Sequence, residues 1–294
     1  DIDRRKVGLD LSSAIHGEPN KAPMISEVTK LEVEVLMGPV LDSLENSGEG
    51  LIEASEKGPV DVSEALKEAE ADVLVNLVSG SAIEASKFYA AAAIDAGCAF
   101  LNAAPSPVVN DEGFSNRFQD SGIPLAGDDL LDQIGATVTH IGLLEFLHGR
   151  GVRIDESYQL DVGGGAESVN TLWKTRGLKR EIKTSAVSGS IPYGFPLVSG
   201  STDYVDFLEN RRDSFFWFKG SYFGGVPFSM DVKLNTVDAP NAGAILLDVV
   251  RGLKLASDRG LGGPITPLCS YGFKRPPERM SLVEAYRLFR EYSE

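Results

Sequence analysis

Three short apolar runs between Asp72 and Ala126 set the strongest limit on how this chain folds. They are Asp-Val-Leu-Val-Asn-Leu-Val (Asp72 to Val78), Cys-Ala-Phe-Leu-Asn-Ala-Ala (Cys98 to Ala104) and Ile-Pro-Leu-Ala (Ile123 to Ala126). Such runs read as strands buried on both faces, the kind found in a parallel sheet. Helical segments separate them: an alanine-rich stretch from Ile83 to Ala96 closed by Gly97, then Glu112 to Asp120. A further helix is predicted over Val62 to Ala69. Strand, helix, strand, helix, strand predicts a doubly wound, Rossmann-type α/β fold. Ligands in such folds sit beyond the C-terminal strand ends, which nominates Ser79, Gly80, Asn102, Ala103 and Asp128.

The third strand runs into Gly127-Asp-Asp-Leu-Leu-Asp-Gln-Ile-Gly-Ala-Thr137, and Val138 to Leu147 then has helical spacing with Thr137 or Thr139 as cap. A glycine turn bearing two acids between strand and helix is either a ligand site or an ordinary connection with acidic surface residues. Upstream, Asp1 to Ile15 suggests a strand end and a short helix, Gly17 to Lys30 a loop, Leu31 to Leu36 a half-buried strand, and Asp42 to Gly58 an acidic surface excursion. Asp1 is either a frayed acidic terminus or the acid that accepts ribose hydroxyls at the end of a second strand.

Beyond Gly151 the pattern changes, and a second, α+β part with a largely antiparallel sheet is expected. Ser157 to Val162 reads as a strand leading into Gly163-Gly164-Gly165, a phosphate-approaching turn or a flexible loop but, without a following GK[ST], not a P-loop. Val169 to Lys183 is a basic helix holding Lys174, Arg176, Lys179, Arg180 and Lys183. Lys179 and Lys183 share one face, which is either solvated or turned to an anionic ligand. Phe215 to Lys219 and Phe228 to Leu234 form an antiparallel pair through Gly224-Gly225. Asp238-Ala-Pro-Asn-Ala-Gly opens an amphipathic helix to Ala256 with Asp238 as cap. Ser270 to Pro277 is a short strand ending on Lys274 and Arg275, and a last helix begins at Leu282. The expected division is residues 1–136 with 237–294 as a dinucleotide-binding domain and 137–236 as a catalytic and oligomerisation domain.

Composition narrows the function. A net charge of −15 over 294 residues argues against nucleic acid as a partner, because such binding needs a basic surface to displace counterions. It leaves room for a phosphorylated substrate held by a local basic cluster. Cys98 and Cys269 stand far apart without metal-ligand spacing and read as small buried residues. His16, His140 and His148 are the only histidines, which argues against a histidine-based metal site. No apolar run reaches membrane-spanning length and no signal peptide opens the sequence, so a cytoplasmic protein without a membrane partner is expected.

In order, Gly127-Asp-Asp with Gly135-Ala-Thr, Tyr158-Gln-Leu-Asp-Val-Gly-Gly, the Lys179/Lys183 pair, Asp238-Ala-Pro-Asn-Ala-Gly and Phe273-Lys-Arg-Pro-Pro resemble myo-inositol-1-phosphate synthase, in its shorter bacterial form. The resemblance runs from Asp1 to about Glu278 and implies an NAD-dependent isomerase acting on D-glucose 6-phosphate. It also implies a homotetramer built through the central sheet. NAD would oxidise C5, the C6 enolate would attack C1, and the hydride would return. By resemblance Lys179, Lys183 and Lys274 are active-site lysines, Arg212 aligns with another, and Asp238 orients a lysine. Asp128 and Asp129 lie near nicotinamide and substrate, Asp1, Ser79 and Asn102 line the cofactor cleft, and Gly135, Ala136, Thr137 and Asp161 meet the substrate. The family's glycine-rich first βα unit would precede Asp1, so the natural protein is expected to begin earlier.

The chain departs from the family pattern at several places. Leu131 and Asp132 stand where Lys and Ser are usual, Arg212 replaces a lysine, Asp161 stands where Asn is common, and Gly165 replaces an Asn. These changes bear on the substrate more than on the fold. Besides inositol-phosphate synthesis, the sequence admits an NAD-dependent oxidoreductase or isomerase of another sugar or polyol, and a catalytically silent structural relative.

Overall fold

A computed structural model describes residues 1–18, 20, 22–42, 52–165, 168 and 176–294, with the side chains at 178, 179 and 201 outside that set. The first sheet takes β1 (Val73–Asn76), β2 (Ala99–Asn102), β3 (Pro124–Ala126) and, from the far end of the chain, β8 (Gly263–Pro264), in that order. Every pairing is parallel. The helices α3 (Ile83–Ala96) and α4 (Glu112–Asp120) connect the strands, after α1 (Leu11–Ala14) and α2 (Val62–Glu68). Asp10, Asp61 and Asp111 cap α1, α2 and α4 by accepting backbone N–H groups of the first turn. Gly97 ends α3 at φ 76°, a left-handed position where a Cβ is disfavoured. The core joins Phe100, Phe118 and Leu125 to Val249, Leu253 and Leu268 of the C-terminal helices α7 (Asp238–Asp258) and α8 (Thr266–Gly272). Burial of each such side chain contributes about 1.5–3 kcal/mol.

The second sheet has the order β5-β4-β6-β7. Its strands are β4 (Arg153–Gly163), β5 (Leu197–Tyr204), β6 (Arg211–Tyr222) and β7 (Val226–Val237). β6 and β7 make the expected hairpin, with Gly224 and Gly225 at φ 71° and 73°. β4 is antiparallel to β6 but parallel to β5, a pairing that needs a crossover, and α6 (Arg176–Ser188) lies between the two strands in sequence. One face packs on α6 and on α5 (Ala136–Gly149) through Leu144, Ile154, Val187, Phe216 and Phe218. The other face leaves Tyr158, Val198 and Phe215 exposed. The final helix, α9 (Leu282–Ser293), starts on a Ser281 cap as the sequence predicts.

Several local expectations fail. Leu31 to Leu36 is no strand: a lone bridge joins Glu34 to Asp10, and Leu31, Val33 and Leu36 stay exposed for want of a sheet to pack on. Ser270 to Gly272 is helical, because Pro267 starts a turn whose Leu268 and Cys269 face the core. Only Phe273 is extended, bridging Leu130. Helix α5 starts at Ala136 with Gly135 as N-cap, which puts Thr137 inside the first turn. Helix α7 starts at Asp238 with Val237 as N-cap, and the Asp238 carboxylate is used elsewhere. The triple glycine serves close packing: a Cβ on Gly164 would collide with the backbone of Val205 to Glu209. Residues 169–175 of the basic helix, with Lys174, and residues 43–51 of the acidic excursion lie outside the described residues.

Candidate active site

The turn after β3 is built by close approach. A Cβ on Gly127 would lie 3.0 Å from Asn102 Cβ and 3.1 Å from Val109 Cγ2, and the Gly127–Asp128 peptide is cis. Asp128 is fully buried and accepts the Val108, Val109 and Asn110 amides at 3.1 Å each. Asn102 Nδ2 at 2.8 Å and Asn110 Nδ2 at 3.0 Å complete its shell. Burial pushes its carboxyl pKa up, and the five donors oppose that by favouring the carboxylate. Asp128 therefore clamps the loop after β2. Asn102 also donates to Ser106 O at 2.7 Å and accepts from Asn76 Nδ2 at 2.8 Å, while the buried Asn76 Oδ1 has no donor among the described residues.

Asp129 follows at φ 61°. Its carbonyl accepts the Lys274 amide at 2.8 Å and its carboxylate the Lys274 Nζ at 2.7 Å. Leu131 N–H donates to Gly272 O at 2.8 Å and Leu130 bridges Phe273, so the two segments are zipped together beyond the C-terminal end of β3. Burial works to lower the Lys274 pKa, but Asp129 and Asp132 outweigh it and hold the ammonium above the ordinary lysine value. Asp132 sits in the turn before α5, where a Cβ on Gly135 would collide with its carboxylate. Its pKa is raised by burial, with Asp238 and Asp129 adding and Lys274 and Arg212 opposing.

The second sheet brings the other charges. Arg212 on β6 donates Nε and Nη2 to Asp238 Oδ2 at 3.1 and 2.7 Å. Lys183 on α6 is 7% exposed and donates to Asp161 Oδ2 on β4 at 2.7 Å. Burial lowers the Lys183 pKa, aided by Arg212 and Lys274 and resisted by Asp161. Asp161 stays below the usual carboxylate value, because Lys183, Arg212 and its hydrogen bonds outweigh burial. Behind Asp161, Gln159 Nε2 donates to both of its oxygens at 3.1 and 2.9 Å, and Gln159 Oε1 faces His140 Nδ1 at 3.2 Å.

These shifts sort the groups by task. Arg212 and Lys274 are held charged, while Lys183 and Asp132 are biased toward their neutral forms. Fixed cations beside groups that can exchange a proton make an arrangement suited to enolisation and to oxygens that become negative.

The structure gathers Lys183, Arg212, Lys274, Asp129, Asp161 and Asp238 into one interacting set. Asp238 orients an arginine, not a lysine. Lys179 lies one turn before Lys183 on α6 with its side chain outside the described residues. Ala136 packs into the second core and Thr137 is buried beside it. Ser79 is exposed after β1, its Oγ 3.3 Å from Ser81 Oγ. Asp1 turns its carboxylate to the Ile2 and Asp3 amides at 2.7 and 2.9 Å. Sequence reasoning missed Asn76, Asn110, Gln159, His140 and Asn241. Asn241 Oδ1 accepts Ile134 N–H at 2.7 Å and its Nδ2 is buried without an acceptor among the described residues; membership of the Asp-Ala-Pro-Asn motif was its available signal. Cys98 and Cys269 are buried, their thiols pushed up to about 11 and about 12, so neither is a nucleophile at neutral pH. Among the described residues no His, Cys, Asp and Glu cluster is arranged for a metal ion, and no helix is long and apolar enough to cross a membrane.

Known proteins match this architecture. Residues 135–239 fit the family described as myo-inositol-1-phosphate synthase. The chain is 43% identical to inositol-3-phosphate synthase of Corynebacterium glutamicum over 290 residues, covering 95% of this chain and 80% of that protein. It is 41% identical to the Mycobacterium tuberculosis enzyme of the same name over 284 residues, 95% of this chain and 77% of that one. The crystal structure of Ari2 superposes with a TM-score of 0.76 at 28% identity, covering all of this chain and 83% of that one. A myo-inositol-1-phosphate synthase-related protein from Thermotoga maritima shares the fold at TM-score 0.81 and 21% identity, covering 100% of this chain and 85% of that one. The chain belongs to the myo-inositol-1-phosphate synthase family.

Proposed function

We propose that this protein cyclises D-glucose 6-phosphate to 1D-myo-inositol 3-phosphate by oxidation, enolisation, intramolecular aldol closure and reduction. The observation that carries the reading is the convergence of Lys183, Arg212 and Lys274, each 2.7 Å from its own aspartate, in a chain 43% identical to an inositol-3-phosphate synthase. Lys183, its neutral amine favoured by burial, takes the C6 proton and becomes an ammonium beside Asp161. Lys274 and Arg212 stabilise the enolate oxygen and then the alkoxide formed when C6 bonds to C1. Arg212 acts as charge alone, since a guanidinium does not titrate in this range. Lys183 gives its proton to that alkoxide, which restores the amine.

NAD is the cofactor that fits, and when bound its nicotinamide supplies the reversible hydride acceptor. Ser79 and Asn102 stand at the C-terminal ends of parallel strands, and the buried Asn76 Oδ1 beside Asn102, which has no donor among the described residues, supports a bound hydroxyl there. Asp1, Asp128 and Asp129 complete the assignment, with Asp128 shaping the loop. Gly135, Ala136 and Thr137 border the substrate through the start of α5. We also place the protein in the cytoplasm, where sugar phosphates and NAD are available. We assign a homotetramer packed on the outer face of the second sheet, a reading supported by the exposed Tyr158, Val198 and Phe215. We divide the chain near residues 136 and 237, a reading supported by the two separate cores.

A second reading, another sugar or polyol as substrate, has one observation in its favour: Asp132 adds a fourth carboxylate to three paired cations among the described residues. Incubation with glucose 6-phosphate and NAD, followed by phosphorus NMR of the product, tests the choice. Inositol phosphate is expected. Its absence, with NADH accumulating on a different sugar, would overturn the first reading.

A further inference from the structure

His140 takes no part in the reaction above, yet it is fully buried on α5 with both ring nitrogens in polar contact. We propose that His140 is a positioning residue whose Nδ1–H holds the Gln159 amide in the orientation that turns Asp161 toward Lys183. The proposal rests on Lys183 as the proton-exchanging group of the reading above.

The hydrogen inventory leaves little freedom. Asp161 accepts only, so Gln159 presents Nε2 to it, 3.1 and 2.9 Å from the two oxygens. Gln159 Oε1 is therefore the atom 3.2 Å from His140 Nδ1, and an amide oxygen also accepts only. Nδ1 must carry a proton. On the other side Nε2 lies 2.8 Å from Ser157 Oγ, which is also 2.8 Å from Trp217 O. The single hydroxyl proton serves one of these partners at a time. With the ring neutral, Ser157 donates to Nε2. With the ring charged, Nε2 donates to Ser157 and the hydroxyl turns to the Trp217 carbonyl. Nδ1–H persists in both forms, so the clamp is independent of ring charge.

Surrounding groups fix the ring. Phe216 and Phe218 meet it edge to face, with centroids at 5.6 and 5.2 Å. Burial pushes its pKa down to about 4 against the Gln159 hydrogen bond and the Asp161 charge. A flipped Gln159 would set oxygen against the Asp161 carboxylate and N–H against Nδ1–H. Gln159 helps to keep Asp161 ionised, and Asp161 in turn supports the Lys183 ammonium against burial, Arg212 and Lys274. Loss of the Nδ1–H donor frees the amide, loosens Asp161 and lowers the Lys183 pKa further.

The test compares pH profiles of kcat/KM on glucose 6-phosphate for the wild type, His140→Phe and His140→Gln. His140→Phe should move the acid-side limb, where Lys183 must be neutral, to lower pH by about half a unit. It should also lower kcat roughly tenfold. His140→Gln, which keeps an N–H donor, should retain the wild-type limb. A wild-type limb in His140→Phe, or the same shift in both variants, overturns the proposal. Nitrogen-15 NMR of histidine-labelled wild-type protein reads the tautomer without turnover. A protonated Nδ1 with a bare Nε2 is expected at neutral pH, and the opposite tautomer overturns the proposal whatever the substrate.

Discussion

Asp161→Asn removes the counter-charge of a lysine that is 7% exposed, and its cost should depend on pH in a calculable way. Breaking a buried ion pair by removing one partner costs about 3–5 kcal/mol. Lys183 can limit the loss by folding without its proton. That route costs 1.36 kcal/mol for each unit between the solution pH and the ordinary lysine value of about 10.4. The ceiling is therefore roughly 4.6 kcal/mol at pH 7 and roughly 1.2 kcal/mol at pH 9.5. The sign follows from the depressed folded-state pKa of Lys183. Between the folded and unfolded values the unfolded chain binds more protons, so stability rises with pH across that window. The window opens at lower pH in the variant, because Asp161 no longer supports the ammonium. Urea unfolding of both proteins at pH 7 and 9.5 reads the difference. A deficit of a few kcal/mol at pH 7 that shrinks to about 1 at pH 9.5 is expected. Equal stability at pH 7, or a deficit that widens with pH, would show that Asp161 does not neutralise a buried Lys183 ammonium.

Lys183→Ala should reduce inositol phosphate formation by about 10²–10⁴-fold, the range for a lost acid–base group, and full turnover would contradict its role. Asp132→Ser should lower the KM for glucose 6-phosphate about tenfold near pH 8 by removing a like charge. Because burial raises the Asp132 pKa, the wild-type KM should climb as pH rises through that value, while the variant stays flat. An unchanged KM would show that Asp132 does not meet the phosphate. Asp128→Ala should strand the buried amides of Val108 and Val109, free that of Asn110 and lower stability by about 3 kcal/mol or more, measured by thermal unfolding. A wild-type melting temperature would exclude the clamp role.

Local periodicity and turn chemistry determined the alternating elements of the first sheet, because each depends on residues near in sequence. Helix α3 spans Ile83–Ala96 as its alanines and Gly97 require, and the β6–β7 hairpin turns on the glycines that tolerate positive φ. The same short-range logic failed at Ser270–Gly272, where a brief apolar run suits strand and helix alike until packing on α7 selects the helix. Residue types and family resemblance also made most of the site legible: Lys183, Arg212, Lys274, Asp129, Asp161 and Asp238 are all present in sequence. Their pairing was not. Lys274 meets Asp129 across 145 residues and Lys183 meets Asp161 across 22, distances that no periodicity spans. His140 and Gln159 looked like ordinary members of a helix and a strand, and only folding sets them face to face. Chemistry and local form were thus readable from the chain itself. Which charge neutralises which, and hence which lysine can release a proton, was decided by tertiary packing, because pKa depends on burial and on neighbours that folding alone supplies.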